Sequence, residues 1–371
     1  MKLYLFVLGR DPELSKIEIE SFLESKNLNF EILDADKNIA VIKLDKFENK
    51  LLNSLGGVIK IAEVISNTDR TEDIEDNLNK INLYSGKKNK IIYSVSGFKT
   101  DLDGFVHEYL KEYFKDLKIK AMFKKEFKPS SSIKRDLLNE GLEIVIYKNL
   151  IGRVVAVSDP LELKRRDLGR PSVEHVKTIS LRLAKILINL SKARDGELLL
   201  DPFCGNGTIL QEALLRNINV IGVDNDVNSI KQSKDNLEWL KKNYNIKNKY
   251  NLIKLDARKI SSVINKVDAV VTEPYMGPYI RKLPTVKEAH NLVLELSDLY
   301  SSVLKQAKDL LISGKRIVIV IPRFRTREGK NIFISIESLA KANNFILRYK
   351  PIIYAYKESK LIREICVLEK L

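Results

Sequence analysis

The chain has 371 residues, of which 44% are hydrophobic and 30% charged, a composition typical of a folded protein. This length exceeds one ordinary hydrophobic core and predicts two or three domains. No apolar run is long enough to cross a bilayer and the N-terminal residues lack a cleavage-site pattern, so we expect a cytoplasmic protein without a membrane span or signal peptide.

The cysteines and histidines of the sequence are few and scattered. Cys204 and Cys366 lie far apart, and the three histidines share no motif with them. Zinc sites require clustered Cys and His ligands, so we expect no metal site.

The formal net charge is +15 and is unevenly distributed along the chain. It is −5 over residues 1–85, +5 over 86–150 and +15 over 151–371. A basic chain favours a polyanionic partner such as a nucleic acid. Solvated lysine-rich helix faces would explain the same charge, so composition alone leaves both interpretations open.

The first 157 residues combine short apolar strands with amphipathic helices. Alternation predicts strands at 3–9, 39–44, 91–98, 142–147 and 153–158, and apolar residues at helical spacing predict a helix over 105–117. Elements of this length are typical of small α+β modules. We therefore expect an α+β region over residues 1–157.

Residues 158–172 (SDPLELKRRDLGRPS) interrupt this pattern with two prolines and a glycine. We place a linker at 158–174, before a second domain over 175–371. The segment also carries basic residues that are candidates for phosphate contacts, namely Lys164, Arg165, Arg166 and Arg170.

Short, continuously apolar strands alternate with long helices in the second domain. The strands are expected at 197–201, 219–224, 252–256, 268–272 and 315–321. Apolar strands separated by helices are typical of a parallel sheet covered on both faces, so we predict a doubly wound α/β domain.

The first of these strands leads into a glycine loop, DPFCGNGT at 201–208. Gly205 and Gly207 allow a ligand to approach the backbone closely. Asp201 would repel a pyrophosphate but suits the ammonium of S-adenosylmethionine. Asp224 ends the next strand and is placed to bind ribose hydroxyls, and Asp256 ends the third and is placed to meet an adenine amine.

The fourth strand runs into VVTEPYMGPYIRK, at the edge of the sheet that carries the glycine loop. Glu273 and the Pro274 carbonyl could accept hydrogen bonds from an exocyclic base amine and orient its lone pair. Tyr275 could stack on the base. Arg281 and Lys282 are further candidates for phosphate contacts, although solvent exposure explains them almost as well.

The whole chain resembles the archaeal and eukaryotic THUMP-domain tRNA guanine-10 N2-methyltransferases. The resemblance is carried by DPFCGNGT, by KRRDLGRPS with ISLRLAKILINLS, and by KPSSSIKRDLLNEGLEIVIY with GRVVAVSDPLELKRRD. It implies a Rossmann-like class I methyltransferase domain preceded by a ferredoxin-like and THUMP region that binds tRNA. It also implies S-adenosylmethionine as cofactor and, in related enzymes, a small zinc-binding activator protein as partner.

The residues assigned to the site follow from the motifs and this resemblance. We assign Glu273, Pro274 and Tyr275 to catalysis. The residues assigned to the cofactor are Asp201, Phe203, Gly205, Gly207, Thr208, Asp224, Asn225, Asp256 and Ala257.

One motif departs from the family, which usually shows Asp-Pro-Pro-Tyr in the reaction loop. Without gaps, Glu273 takes the place of the aspartate; a shift of one residue would put Thr272 there instead. We prefer the ungapped register because it retains a carboxylate and matches Gly277. Guanine N2-methylation at another tRNA or ribosomal RNA position, and an RNA-binding protein with a decayed catalytic half, are the alternative functions.

Overall fold

The computed structural model describes residues 1–68, 70–84, 89–125, 141–172, 179–355 and 359–371. The chain divides into two compact units, which we call unit 1 (Met1–Arg166) and unit 2 (Asp167–Leu371). No helix in the described residues is long and apolar enough to cross a membrane.

Unit 1 is built on one eight-stranded sheet. Its strands are β1 (Lys2–Leu8), β2 (Phe30–Ala35), β3 (Ile39–Leu44), β4 (Val58–Asn67), β5 (Lys90–Phe98), β6 (Lys120–Phe123), β7 (Gly141–Tyr147) and β8 (Leu150–Val157). They lie in the order β2-β3-β1-β4-β8-β7-β5-β6. All neighbours are antiparallel except β7 with β5 and β5 with β6.

The helices of unit 1 are α1 (Pro12–Ser25), α2 (Leu51–Ser54), α3 (Thr71–Asn79) and α4 (Leu102–Asp116), and α5 (Pro160–Gly169) runs across the boundary into unit 2. Three apolar clusters form its core in the described residues, the smallest of them around Leu5 and Tyr147. Of the two larger clusters, one packs α1 on β1, β3 and β4 around Phe6 and Ile19, and the other packs α4 on β5 and β7 around Tyr93 and Phe114. Residues 128–140 of the predicted THUMP segment lie outside the described residues.

Unit 2 contains the parallel sheet that the sequence predicts. Its strands are β9 (Leu198–Asp201), β10 (Asn219–Asp224), β11 (Tyr250–Lys254), β12 (Val267–Thr272), β13 (Leu311–Arg325), β14 (Asn331–Phe333), β15 (Phe345–Leu347), β16 (Ile352–Tyr354) and β17 (Leu361–Lys370). The main order is β11-β10-β9-β12-β13-β17-β15, while β14 pairs with β13 and β16 with β17. The five strands from β11 to β13 in this order are mutually parallel, and β17 is antiparallel to β13 and β15.

Helices separate the parallel strands, as expected for a doubly wound sheet. The helices of unit 2 in the described residues are α6 (Leu181–Leu190), α7 (Thr208–Leu214), α8 (Val227–Asn243), α9 (Val286–Leu310) and α10 (Ile336–Ala342), with a 3-10 helix at Ala257–Ser262. Those between parallel strands are α7, α8, the 3-10 helix and α9. Side chains of the central strands, including Leu200, Val270 and Val271, are fully buried. This explains why those strands appear in the sequence as continuous apolar runs.

The structure differs from the sequence predictions at two places. Part of the predicted linker forms helix α5, although the unit boundary, between Arg166 and Asp167, falls within the predicted linker at 158–174. The antiparallel strand β17 was not predicted, because its charged residues interrupt the apolar run.

Gly222 on β10 lies where neighbouring side chains leave no room for a methyl group. A Cβ there would lie 2.5 Å from Leu210 Cδ1 and 2.9 Å from Leu252 Cδ2. We therefore expect Gly222→Ala to destabilise unit 2 by about 1–3 kcal/mol through overpacking.

The measurement is denaturant unfolding followed by fluorescence of Trp239, the only tryptophan, which lies on α8 in unit 2. The control is Gly104→Ala on α4 of unit 1, where a Cβ meets nothing within 4 Å. It should leave the Trp239 transition unchanged. A Gly222→Ala transition that coincides with that of the wild type would contradict this packing.

Candidate active site

The central strand β9 lies between β10 and β12, so the strand order reverses at β9. In open α/β sheets, ligands bind beyond the carboxyl ends of the strands at such a switch point. A pocket of ≈ 120 Å³ lies there. Its lining residues are Ile179, Asp201, Phe203, Cys204, Gly205, Asn206, Thr208, Ile209, Asp226, Ser229, Gln232 and Glu273.

Asp201 ends β9 and is 1% exposed although it carries a carboxyl group. Its Oδ1 accepts hydrogen bonds from Thr272 Oγ1 at 2.7 Å and from the Phe203 amide at 3.1 Å. Within the described residues its Oδ2 accepts none. Burial, with smaller effects of Asp224 and Glu273, raises the pKa of Asp201 to about 7. The pocket therefore contains a buried carboxyl group that a cation would ionise.

Backbone geometry explains the two glycines of the loop. Gly205 has φ +51° and Gly207 has φ +81°, both in the left-handed region that favours glycine. A Cβ on Gly205 would meet nothing within 4 Å, so the missing side chain leaves open space at the pocket. A Cβ on Gly207 would lie 2.5 Å from Ser233 Oγ on α8. The first glycine keeps the pocket open, and the second permits close packing on α8.

Hydrogen bonds from outside the loop hold it in place. The Gly205 amide donates to Asp224 Oδ2 at 3.0 Å. The buried Asn236 on α8 donates from Nδ2 to the Asn206 carbonyl at 2.9 Å and to the Ser172 carbonyl at 2.8 Å. The loop is therefore positioned by β10 and α8.

Arg166 and Arg170, which the sequence analysis assigned to RNA contacts, are both buried, so neither side chain is exposed for a phosphate. The side chain of Arg170 is 1% exposed, pairs with Asp167, and donates to Thr208 Oγ1 at 2.7 Å. Arg166 is 7% exposed. Arg166 pairs with Glu162 and Arg170 with Asp167. Lys164 and Arg165, by contrast, are exposed.

The acids after β10 and β11 differ in their surroundings. Asp224 accepts from the amides of Gly205 and Asp226, and Asn225 after it is exposed. Asp226, which the sequence analysis missed, lines the pocket and caps α8 by accepting from the Asn228 amide.

Asp256 caps the 3-10 helix through the Arg258 amide and pairs with the Arg258 side chain. Hydrogen bonds from Arg258 lower the pKa of Asp256 to about 2. Asp256 is half-buried, and Ala257 beside it is buried. The Asp256 carboxylate therefore already has a cationic partner, unlike the buried acid of β9.

Thr272 and Glu273 face different partners at the end of β12. The Thr272 hydroxyl donates to Asp201, whereas the Glu273 side chain lines the pocket and is 12% exposed. Its Oε1 accepts from Arg363 Nε at 2.5 Å. Arg363 comes from β17, which explains why the sequence analysis missed it.

A buried tyrosine holds the rest of the reaction loop. Tyr300 on α9 is fully buried and donates to the Tyr275 carbonyl at 2.8 Å. Burial raises the pKa of Tyr300 well above its ordinary value, so it remains a donor at neutral pH. Pro274 is buried, while the Tyr275 side chain is 51% exposed. The backbone is thus anchored and the Tyr275 ring is accessible.

Arg281 and Lys282 line a second, open pocket of ≈ 420 Å³ beside the reaction loop. The pocket also includes Arg327 and Tyr279, whose side chain is 77% exposed. Its walls combine three cationic residues and an accessible ring with two acids, Glu288 and Glu295.

Comparisons with known proteins agree with this geometry. An RMKL-like methyltransferase domain model matches residues 169–330, and a DNA methylase model matches residues 72–235. The crystal structure of TrmN from Thermus thermophilus covers all of both chains with a TM-score of 0.52 at 18% identity, which supports a Rossmann-like methyltransferase fold.

Two archaeal relatives share one enzyme name. A tRNA (guanine(10)-N2)-dimethyltransferase from Methanothermobacter thermautotrophicus is 27% identical over 89% of this chain and 91% of its own. A "Probable tRNA (guanine(10)-N2)-dimethyltransferase" from Methanothermococcus thermolithotrophicus is 33% identical over 30% of this chain and 69% of its own. The chain belongs to the family of tRNA (guanine(10)-N2)-methyltransferases.

Proposed function

We propose that this protein transfers a methyl group from S-adenosylmethionine to the N2 amine of a guanine in tRNA, at position 10. The observation that carries the proposal is that Asp201 and Glu273 line the same pocket. One carboxyl group is buried and suited to a cation, and the other reaches the pocket from the reaction loop. The near full-length similarity to a tRNA (guanine(10)-N2)-dimethyltransferase supports the substrate and position.

The residues present fit the cofactor. Asp201 Oδ2 would bind its ammonium group, and the space beside Gly205 would admit its chain. Asp224 and Asn225 would bind the ribose hydroxyls, with Asp256 and Ala257 on the adenine side. The remaining assigned residues, Phe203, Gly207 and Thr208, form the loop around it. When bound, the cofactor supplies a methyl group on a sulfonium sulfur.

The reaction loop orients the target amine. Glu273 and the Pro274 carbonyl accept its two N–H hydrogen bonds and direct the nitrogen lone pair away from the ring. The exposed Tyr275 ring stacks on the extruded guanine. The ungapped register is favoured because the Thr272 hydroxyl is already bonded to Asp201.

For the RNA, we propose that residues 1–157 form a ferredoxin-like and THUMP region that binds tRNA, and that Lys164, Arg165, Arg281 and Lys282 contact phosphates. All four of these cations are exposed. A tRNA substrate agrees with the cytoplasmic location expected from the sequence.

The test is nucleoside mass spectrometry of unmodified tRNA incubated with the purified protein and isotope-labelled cofactor. We expect label in N2-methylguanosine or its dimethyl form, mapped to position 10. Activity of the chain alone would show that a small zinc-binding activator protein is dispensable. Labelled adenosine, or no label in tRNA with or without such an activator, would contradict the proposal.

Replacing Glu273 with Gln keeps the size of the side chain but removes the charge that orients the amine. We expect single-turnover methyl transfer to fall by a factor on the order of 10²–10³, the cost of losing one preorganised electrostatic contact. Cofactor affinity, measured by calorimetry, should change little. Near-normal transfer by the variant would exclude this role for Glu273. It would then favour the shifted register, in which Thr272 takes the place of the aspartate.

The buried acid predicts a pH dependence of cofactor binding. Because Asp201 has a pKa of about 7 in the free protein, binding an ammonium group must release its proton. The affinity for S-adenosylmethionine should therefore rise roughly 5-fold from about pH 6 to about pH 7, a range over which an α-amino group with a pKa of about 7.7–8.0 stays mostly protonated.

Calorimetry in two buffers of different ionisation enthalpy measures both the affinity and the released proton. Asp201→Asn is the matched control, and its affinity should be weaker and nearly independent of pH over this range. If the affinity of the Asp201→Asn variant depended on pH as steeply as that of the wild type, the released proton would come from a group other than Asp201.

A further inference from the structure

Glu273 and Arg363 form an ion pair across the sheet of unit 2. Arg363 Nε donates to Glu273 Oε1 at 2.5 Å, and the two side chains are 34% and 12% exposed respectively. Within the described residues, this is the only hydrogen bond of the Glu273 carboxylate. Its Oε2 is therefore left to accept from a ligand in the pocket.

The two residues come from strands that are not neighbours. Glu273 follows β12 and Arg363 lies on β17, with β13 between them. Neighbouring strands lie about 4.8 Å apart, so these two backbones are separated by roughly 10 Å. Only two long side chains can meet across that distance. An aspartate would be shorter by one carbon–carbon bond, about 1.5 Å.

The residue beside Arg363 has a different partner. Glu364 is 1% exposed and accepts from Arg323 Nε at 2.8 Å. Successive side chains of a strand point to opposite faces, so Arg363 is directed away from that pair. Because side chains alternate between the two faces of β17, Arg363 lies beside the reaction loop while Glu364 faces Arg323.

We propose that Arg363 is a positioning residue that holds Glu273 through Oε1 so that Oε2 faces the target amine. This rests on the proposed function of Glu273. It also accounts for the departure from the usual family motif: glutamate replaces aspartate where the partner arginine lies two strands away.

The test is single-turnover methyl transfer to tRNA at saturating cofactor and tRNA. Arg363→Gln should lower the rate by about 10–100-fold, because a misplacement of about 1 Å can cost on the order of 10² in rate. Arg363→Lys should restore part of it. Affinities for cofactor and tRNA and the thermal midpoint should stay close to those of the wild type.

The matched control is Arg348→Gln. Arg348 is 43% exposed and pairs with Glu369, which lies on β17 as Arg363 does. Without Arg348, Glu369 would still have Arg316 as a partner. The rate of this variant should be unchanged. Weaker tRNA binding by Arg363→Gln, with a normal rate at saturation, would show that Arg363 contacts RNA instead and would overturn the proposal.

A double-mutant cycle tests the coupling directly. Arg363→Gln should slow a Glu273→Gln protein or a Glu273→Asp protein by less than about 3-fold. The first already lacks the carboxylate that Arg363 is proposed to hold, and the shorter side chain of the second already breaks the contact. Multiplicative losses would overturn the proposal. If the wild-type protein methylates no guanine, the proposed function itself is refuted. If the Glu273→Gln variant is slow but the Arg363→Gln variant has a normal transfer rate, only the role of Arg363 is refuted.

Discussion

The structure of the site depends on the buried Asp201 carboxyl group at the end of the central strand. It joins β9 to β12 through the Thr272 hydroxyl, and burial raises its pKa to about 7. Relative to a reference near 3.8, this shift corresponds to about 4 kcal/mol against the ionised form. Between those pH values the folded chain keeps a proton that the unfolded chain releases, so the shift lowers stability as pH rises. The fold thus keeps a carboxyl group that is costly to ionise on the wall of the pocket at the carboxyl ends of the strands.

The other acids at this edge of the sheet have compensating partners. Asp256 pairs with Arg258, Glu273 pairs with Arg363, and Asp224 accepts two backbone amides. The described residues give Asp201 a hydroxyl and an amide but no cation. In our account the cofactor ammonium takes that place, so cofactor binding relieves a cost built into the free protein.

Much of unit 2 was predictable because its signals are local. Apolar runs identified the parallel strands, and Gly205 and Gly207 marked a loop whose backbone has positive φ. Arg363 and Asn236 were missed because their partners are remote in sequence: Glu273 is 90 residues away and Asn206 is 30. Such contacts depend on strand order and helix packing, which periodicity does not reveal.

The basic cluster near residue 166 shows the same limit. An arginine is rarely buried unless it is paired, and Arg170 is buried with Asp167 and Thr208 as its partners. Sequence spacing could not distinguish it from the exposed Arg165. Exposure is decided by tertiary packing, and it separates structural arginines from those available to RNA.

A crystal structure with S-adenosylmethionine bound tests the central claim most directly. We predict the cofactor ammonium within hydrogen-bond distance of Asp201, the ribose hydroxyls against Asp224, and the methyl group directed towards Glu273. A cofactor bound in this pocket with its ammonium away from Asp201, or bound elsewhere on the chain, would contradict it.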